Sequence, residues 1–367
     1  MVPLERPLSE NQSIPHFEYS FQLGLAEFKT TTNIFLALEE ARAYISIYRL
    51  ARASGAAGAL FYSLVRYGGH EELSNHSNSN PVPPIVLTIA GFDPSAGAGV
   101  AADLKTFSAQ NCYGIAAITA ITVQSTQGVK SVNVIPAAEL RAQLDALLDD
   151  IKISAIKIGM LGNRGNAVVV AEFLDRAGVN NVVLDPVMKA TSGALDLLDA
   201  AGIKYLGEEL LKRATVVTPN IAEAEILSGI AIKDYSMMEA AARKIVERGA
   251  RAVVVKGGHM DKAIDLLFDG SEMQTLGGDH IKSENTHGSG CTFASAIAAQ
   301  LAHGRPLQEA VLLAKAYVTK AIERGYSIGK GAGPLDHFYR VHQEPPARGV
   351  HEVPQHGMHP ASEPTSR

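Results

Sequence analysis

Between Asn285 and Gln300 the chain reads Asn-Thr-His-Gly-Ser-Gly-Cys-Thr-Phe-Ala-Ser-Ala-Ile-Ala-Ala-Gln. Gly288 and Gly290 let the backbone turn tightly and aim successive N–H groups at one point. The small residues after them predict a helix whose unpaired first N–H groups and positive dipole end face that same point. Gly288, Ser289 and Gly290 therefore form a candidate anion pocket, suited to a phosphoryl group in transfer. Cys291 stands at its mouth, where the dipole is expected to favour the thiolate. A glycine turn opening a buried helix is the plainer account of the same residues.

Phosphoryl transfer also needs a cation partner and a positive charge for the phosphates. Asp185, Asn220 and Glu223 are oxygen-rich and suit Mg²⁺, partly through waters, and Lys256 can meet a phosphate as a point charge. Each has a plainer account: Asp185 capping a turn before Pro186, Asn220 and Glu223 starting a helix, Lys256 solvated. Their places in the chain favour the chemical reading. Asp185, Asn220 and Lys256 each close a short apolar run, and in an open α/β sheet ligands bind beyond the carboxyl ends of the strands. The other runs end in the same way, with Gly91 and Asp93, then Gln124, then Gly159-Met160. Val187 follows Asp185, and Asp103 lies one turn into the helix after the first loop.

The elements that position these residues alternate. Strands are predicted at 85–90, 115–124, 131–135, 155–159, 181–185, 215–219 and 252–256, with a hairpin at 264–268 and 272–276 around Asp269-Gly270. Helices are predicted at 100–110, 136–149, 166–177 and 199–213, twice between 221 and 248, after the glycine turn, and at 307–324. Strands that are apolar throughout imply a mostly parallel sheet with helices on both faces. Gly97-Ala-Gly99-Val-Ala-Ala102 fits a loose dinucleotide fingerprint, but no acid closes the second strand to hold a ribose. There is no Gly-x-x-x-x-Gly-Lys-Ser/Thr, so this is not a P-loop enzyme.

The 367 residues are 46% hydrophobic and carry a net charge of −5, which argues against a nucleic-acid surface. Two cysteines, Cys112 and Cys291, make no disulfide framework and point to a reducing, cytoplasmic compartment. The apolar run 55–65 is too short to span a membrane. Residues 1–83 form an extension expected to be partly helical or disordered. Its helical pattern over 32–67 is broken by Ser54, Gly55 and Gly58, and it ends in a Pro/Ser/Asn linker. Residues 84–340 form the globular domain, and 341–367 a Pro/His-rich tail expected to be disordered.

From about Ile85 to Tyr339 the chain resembles the hydroxymethylpyrimidine and phosphomethylpyrimidine kinases of thiamine biosynthesis, in the ribokinase-like superfamily. The motifs are Leu-Thr-Ile-Ala-Gly-Phe-Asp-Pro-Ser-Ala-Gly-Ala-Gly (87–99), Ala-Asp-Leu-Lys-Thr-Phe (102–107), Lys-Ile-Gly-Met-Leu (157–161), Leu-Asp-Pro-Val-Met (184–188), Thr-Pro-Asn-Ile-Ala-Glu-Ala (218–224), Val-Lys-Gly-Gly-His (255–259) and Asn-Thr-His-Gly-Ser-Gly-Cys-Thr (285–292). The resemblance implies a three-layer α/β/α domain. It also implies ATP- and Mg²⁺-dependent phosphorylation of 4-amino-5-hydroxymethyl-2-methylpyrimidine and then of its monophosphate. It puts Gly91, Asp103, Gln124, Met160 and Val187 in the pyrimidine pocket. Asp185, Asn220, Glu223 and Lys256 fall on the Mg-ATP side, with Asp185 and Glu223 toward the metal. Cys291 falls where related sugar kinases carry an aspartate base. A homodimer is the expected assembly.

Phe92 stands where a small hydroxyl residue is usual, Ala96 replaces a usual glycine, and Thr191 replaces a lysine. The rival readings are a pyridoxal-type vitamin kinase, with the same chemistry and a different pocket, and a pyrimidine-binding sensor without turnover. Asp185, Lys256 and Cys291 argue against the sensor.

Overall fold

The computed structural model describes residues 82–190, 195–257, 264–277 and 281–342. The expectations for 1–81, for the tail beyond 342 and for Thr191 and His259 lie outside these residues. The elements are β1 (Ile85–Phe92), α1 (Gly99–Ala109), β2 (Tyr113–Ser125), β3 (Gly128–Val134), α2 (Ala137–Asp150), β4 (Ala155–Ile158), α3 (Arg164–Ala177), β5 (Val182–Leu184), α4 (Ala200–Tyr205), β6 (Val216–Val217), α5 (Ile221–Ser228), α6 (Tyr235–Glu247), β7 (Val253–Val255), β8 (Asp265–Phe268), β9 (Met273–Leu276), α7 (Ser289–Ala302) and α8 (Leu307–Glu323). They build one nine-stranded sheet in the order β3-β2-β1-β4-β5-β6-β7-β8-β9. β2, β1, β4, β5, β6 and β7 run parallel, while β3, β8 and β9 add antiparallel edges.

The expected α/β architecture is present, and its cause is visible in the strands. Alternate residues of each strand enter two separate cores. Leu87, Ile156, Ile158, Val182, Leu184 and Val217 pack against Leu140 and Leu144 of α2, Phe173 of α3 and Ile245 of α6. Val86, Ala155, Val183, Val216 and Val254 pack against Phe293 and Ile297 of α7 and Tyr317 of α8. A strand buried on both faces has no polar side, so it reads as a continuous apolar run.

One expected element is different. The single helix predicted over 199–213 is a six-residue α-helix that widens into a π turn at Leu206–Leu210 and tightens into a 3₁₀ turn at Leu211–Arg213. The wide turn turns Leu206, Leu210 and Leu211 all toward the core, which a uniform 3.6-residue period would not do for all three. Both cysteines are free. No helix among the described residues is long and apolar enough to cross a membrane.

Candidate active site

On the face of the sheet under α7, the apolar row Val86, Ala155, Val183, Val216 and Val254 is followed two residues later, on each chain segment, by a polar side chain. These are Thr88, Lys157, Asp185, Thr218 and Lys256. A period of two keeps each pair on one face, so the sheet itself sets out a polar row toward its carboxyl end. The row is wired together. Thr218 Oγ1 donates to Asp185 Oδ1 at 3.0 Å, and Lys256 Nζ donates to the same oxygen at 3.0 Å.

Two helix N-termini meet above this row. α7 starts at Gly288, whose φ of 81° lies in the left-handed region, and no side chain caps it. α1 starts after Ala98, also without a side-chain cap. The two starts touch through backbone. A Cβ on Gly288 would lie 1.9 Å from the carbonyl oxygen of Gly97, and one on Gly99 would lie 2.2 Å from that of Gly91. These glycines are required by close approach as well as by turn geometry. A Cβ on Gly290 would come within 3.2 Å of Lys256 Nζ, so the ammonium stands beside the first turn of α7. Gly288 to Gly290 and Lys256 are therefore brought together in space.

Cys291 is half-buried, and desolvation opposes the thiolate expected of it. Burial pushes its thiol up to about 11. The charge of Lys157 and the N–H of Gly99 favour the thiolate, but they do not offset desolvation and the nearby carboxylates of Asp185 and Asp103. A helix dipole acts on the order of 1 kcal/mol, less than the cost of charging a group taken out of water.

Asp103 needs a second correction. It is fully buried rather than on the wall of a pocket. Its carboxylate accepts from Lys157 Nζ at 2.9 and 3.0 Å, from Thr88 Oγ1 at 2.6 Å and from Ser295 Oγ at 2.6 Å. With both oxygens occupied by these donors it acts from behind the surface. Ser295 lies one turn after Cys291 on the same side of α7, so the ion pair sits directly beneath the thiol.

Gly91, Met160 and Val187 are brought together, while Gln124 contacts Thr122 and His287. Met160 packs in a small apolar cluster with Ala120, Ala190 and Leu197, and Val187 lies against it. A Cβ on Gly91 would meet Met160 Sδ at 2.9 Å, so the glycine leaves room for the thioether. Gln124 sits at a register shift between β2 and β3, a bulge of the kind that re-aims a side chain.

On the opposite side, Asn220 and Glu223 make a reciprocal cap at the start of α5. Asn220 Oδ1 accepts from the Glu223 N–H at 2.9 Å, and Glu223 Oε2 accepts from the Asn220 N–H at 2.8 Å. The plainer account of this pair holds, and it also fixes Glu223 near Asp185. Burial pushes the Glu223 carboxyl up to about 7; Lys256 opposes the rise and the charge of Asp185 adds to it. Burial also disfavours ionisation of Asp185, but Lys256 and Lys157 outweigh it and hold this carboxyl below the usual range. Among the described residues no group of three His, Cys, Asp or Glu side chains is placed to hold a metal alone. Mg²⁺ asks for less, because it keeps waters and phosphate oxygens and takes one or two carboxylates. Two buried carboxylates whose charges oppose one another fit that ion.

Lys157, Thr218 and His287 also stand here, and the sequence motifs do not single them out. A lysine inside Ala-Ile-Lys-Ile, a strand with no polar face, was the available signal for the first. For Thr218 the signal was the repeated apolar-x-polar strand ending. His287 carried none beyond its neighbours: its ring Nε2 lies 2.8 Å from Asp93 Oδ2, a partner distant in sequence.

The sequence pattern of the family described as phosphomethylpyrimidine kinase matches residues 93–336. The chain is 48% identical over 261 residues to the hydroxymethylpyrimidine/phosphomethylpyrimidine kinase of Rhizobium meliloti, covering 70% of this chain and 97% of that one. It is 45% identical to the thiamine biosynthesis bifunctional protein ThiED of Geobacter sulfurreducens, covering 69% of this chain and about half, 52%, of that longer protein. Among solved structures, an ADP complex of Bacillus subtilis pyridoxal kinase is similar with a TM-score of 0.65 and 37% identity, over 71% of this chain and 99% of that one. Staphylococcus aureus pyridoxal kinase in complex with AMP-PCP and pyridoxal is similar with a TM-score of 0.64 and 39% identity, over 70% and 94%. With the polar row, the paired helix starts and these likenesses together, the chain belongs to the hydroxymethylpyrimidine/phosphomethylpyrimidine kinase family.

Proposed function

We propose that this chain transfers the γ-phosphoryl group of ATP to the hydroxymethyl group of 4-amino-5-hydroxymethyl-2-methylpyrimidine and then to the monophosphate so formed. The observation that carries this reading is the meeting of the α7 start and Lys256 between two sides. One side has the apolar cluster of Met160 and Val187, and Gln124 held against His287; the other is the carboxylate pair Asp185 and Glu223. Gln124 can pair with an amine and its neighbouring ring nitrogen, because an amide presents a donor and an acceptor side by side. The N–H groups of the 288–291 turn and Lys256 hold the transferring phosphoryl oxygens. Asp185 and Glu223 would hold Mg²⁺, which would neutralise charge on the phosphates during transfer. Cys291, as the thiolate, would accept the hydroxyl proton.

Ile121 and Val123 of β2 are 46% and 48% exposed, which supports the homodimer as part of the same reading. A second reading, phosphorylation of pyridoxal, is favoured by the likeness to pyridoxal kinases. The two are separated by phosphate transfer from ATP to the pyrimidine and, in parallel, to pyridoxal. Transfer to the pyrimidine with a kcat/KM at least about tenfold higher is expected. Transfer to pyridoxal alone overturns the proposal.

A further inference from the structure

His287 Nε2 lies 2.8 Å from Asp93 Oδ2, and Gln124 Nε2 lies 3.2 Å from that same ring nitrogen. The two contacts make opposite demands. Asp93 Oδ1 already accepts from the N–H and the hydroxyl of Ser95, at 2.8 and 2.7 Å, and Oδ2 accepts from the N–H of Ala98 at 3.0 Å. A carboxylate held by so many donors is ionised and can only accept. His287 Nε2 therefore carries the hydrogen and donates it to Asp93, whichever charge state the ring has.

An Nε2–H cannot also accept from the NH₂ of Gln124. A second conflict lies at the other end of the same amide. Thr122 Oγ1 is 3.0 Å from the carbonyl oxygen of Phe92 and 3.1 Å from Gln124 Oε1. A hydroxyl has one hydrogen, which the two acceptors could only share. Turning the amide by half a revolution removes the clash of two donors at His287 and the double demand on Thr122. Its oxygen then takes the longer arm of a three-centre bond from His287 Nε2–H, whose nearer acceptor is Asp93, and its NH₂ donates to Thr122 Oγ1, which passes its own hydrogen to Phe92. Amide oxygen and nitrogen are told apart by such partners.

We propose that His287 is a specificity-determining residue, which with Thr122 fixes the direction of the Gln124 amide so that it accepts from a ring amine and donates to the adjacent ring nitrogen. The proposal rests on the function proposed above and names the feature of the substrate that is read. An amino group beside an unprotonated ring nitrogen matches the held edge. An oxo group beside a ring N–H presents the inverse pattern and meets two mismatches. Pyridoxal presents neither pair, because the ring carbons beside its nitrogen bear a methyl group and a hydrogen. His287 acts through Gln124 and has its place fixed by Asp93 and by contact with Gly97, where a Cβ would strike the imidazole at 2.2 Å.

The test compares kcat/KM for the 4-amino pyrimidine and for its 4-oxo counterpart within each variant, a ratio that does not depend on the fraction of enzyme folded. Wild type is expected to prefer the amine by at least about a hundredfold, as a site built around paired donors and acceptors does. His287→Ala frees the amide to rotate, so the ratio should fall at least about tenfold, mainly by gain on the oxo compound. Thr122→Val releases the other end and should move the ratio the same way. His287→Gln, whose N–H can still donate to Asp93, should retain more of it than His287→Ala. If His287→Ala and Thr122→Val both keep the wild-type ratio, the proposal is overturned while the pyrimidine kinase reading stands. If wild type phosphorylates neither pyrimidine, that reading falls first.

Discussion

Lys157 Nζ lies 2.9 and 3.0 Å from the two carboxylate oxygens of Asp103, and neither side chain has any exposed surface. The pair is enclosed by the first turns of α1, the middle of β4 and Ser295 of α7, so it ties both helices to the sheet. Removing one partner leaves a charge buried without its counterion. Lys157→Met should therefore lower stability by about 3–5 kcal/mol, measured by urea unfolding. Lys157→Met with Asp103→Asn should recover part of that loss, because the uncompensated carboxylate is gone. Equal destabilisation of the single and double variants would show that packing, not charge, sets the cost.

Glu223→Gln separates two roles of one side chain. Glutamine serves as well as glutamate at the third position of a helix cap, so α5 should keep its start. What is lost is a carboxylate that burial pushes up to about 7. A carboxyl raised in the folded state makes the fold less stable as pH climbs from its unfolded value through 7. The apo variant should thus be at least as stable as wild type at pH 8, by thermal melting. Its apparent Mg²⁺ requirement should rise about tenfold or more, with pyrimidine KM changed far less. A variant with unaltered Mg²⁺ dependence and weakened pyrimidine binding would reverse the assignment of the two sides.

The strand endings explain how much of this site was legible. Asp185 and Lys256 could be read because a charged residue closing Val-Val-Leu or Val-Val-Val has few other places to go. Lys157 obeyed the same rule, but Ile158 follows it inside the strand, so it looked like a strand residue rather than an end. Asp103 was placed by likeness alone. Its burial depends on Thr88, Lys157 and Ser295, three segments whose convergence no local pattern encodes. For Cys291 the dipole was legible and the desolvation was not, because depth is a property of the packed helices. The π turn at 206–210 was hidden because a uniform helical period is assumed when a sequence is scanned.

Ala96 tests a departure in the first loop. Its φ is 57°, in the left-handed region, where an L side chain crowds its own backbone. The turn is held there by the Ala96 N–H donating to the Asp93 carbonyl at 2.9 Å and by Lys105 Nζ donating to the Ala96 carbonyl at 2.8 Å. Alanine to glycine ordinarily costs roughly 0.5–1 kcal/mol through unfolded-state entropy. Relief of strain of about 1–2 kcal/mol offsets this, so Ala96→Gly should leave stability unchanged or raise it slightly. Ala96→Val should lower it by more than about 1 kcal/mol, as a β-branched residue tolerates positive φ least. A clear loss of stability in Ala96→Gly would mean that the methyl group packs usefully.

Cys291 carries the last prediction, because its chemistry differs most from what its position suggested. A thiol pushed up to about 11 leaves only about one thiolate in ten thousand at pH 7. In a Cys112→Ser background, alkylation of the free enzyme by iodoacetamide should be slow at neutral pH. It should quicken about tenfold per unit from pH 7 to 10, because only the thiolate reacts. ATP with the pyrimidine should protect. If the same thiolate takes the substrate proton, kcat/KM should climb with pH from neutral into the alkaline range. Cys291→Ser should lose that climb and about a hundredfold in kcat, the usual scale of a missing base. The two readouts need not agree, and their disagreement is informative. Fast alkylation at pH 7 would mean that the helix start and Lys157 overcome desolvation after all. A pH profile and kcat unchanged in Cys291→Ser would remove the cysteine from proton transfer. The N–H groups of the 288–291 turn would remain, since serine keeps the same backbone.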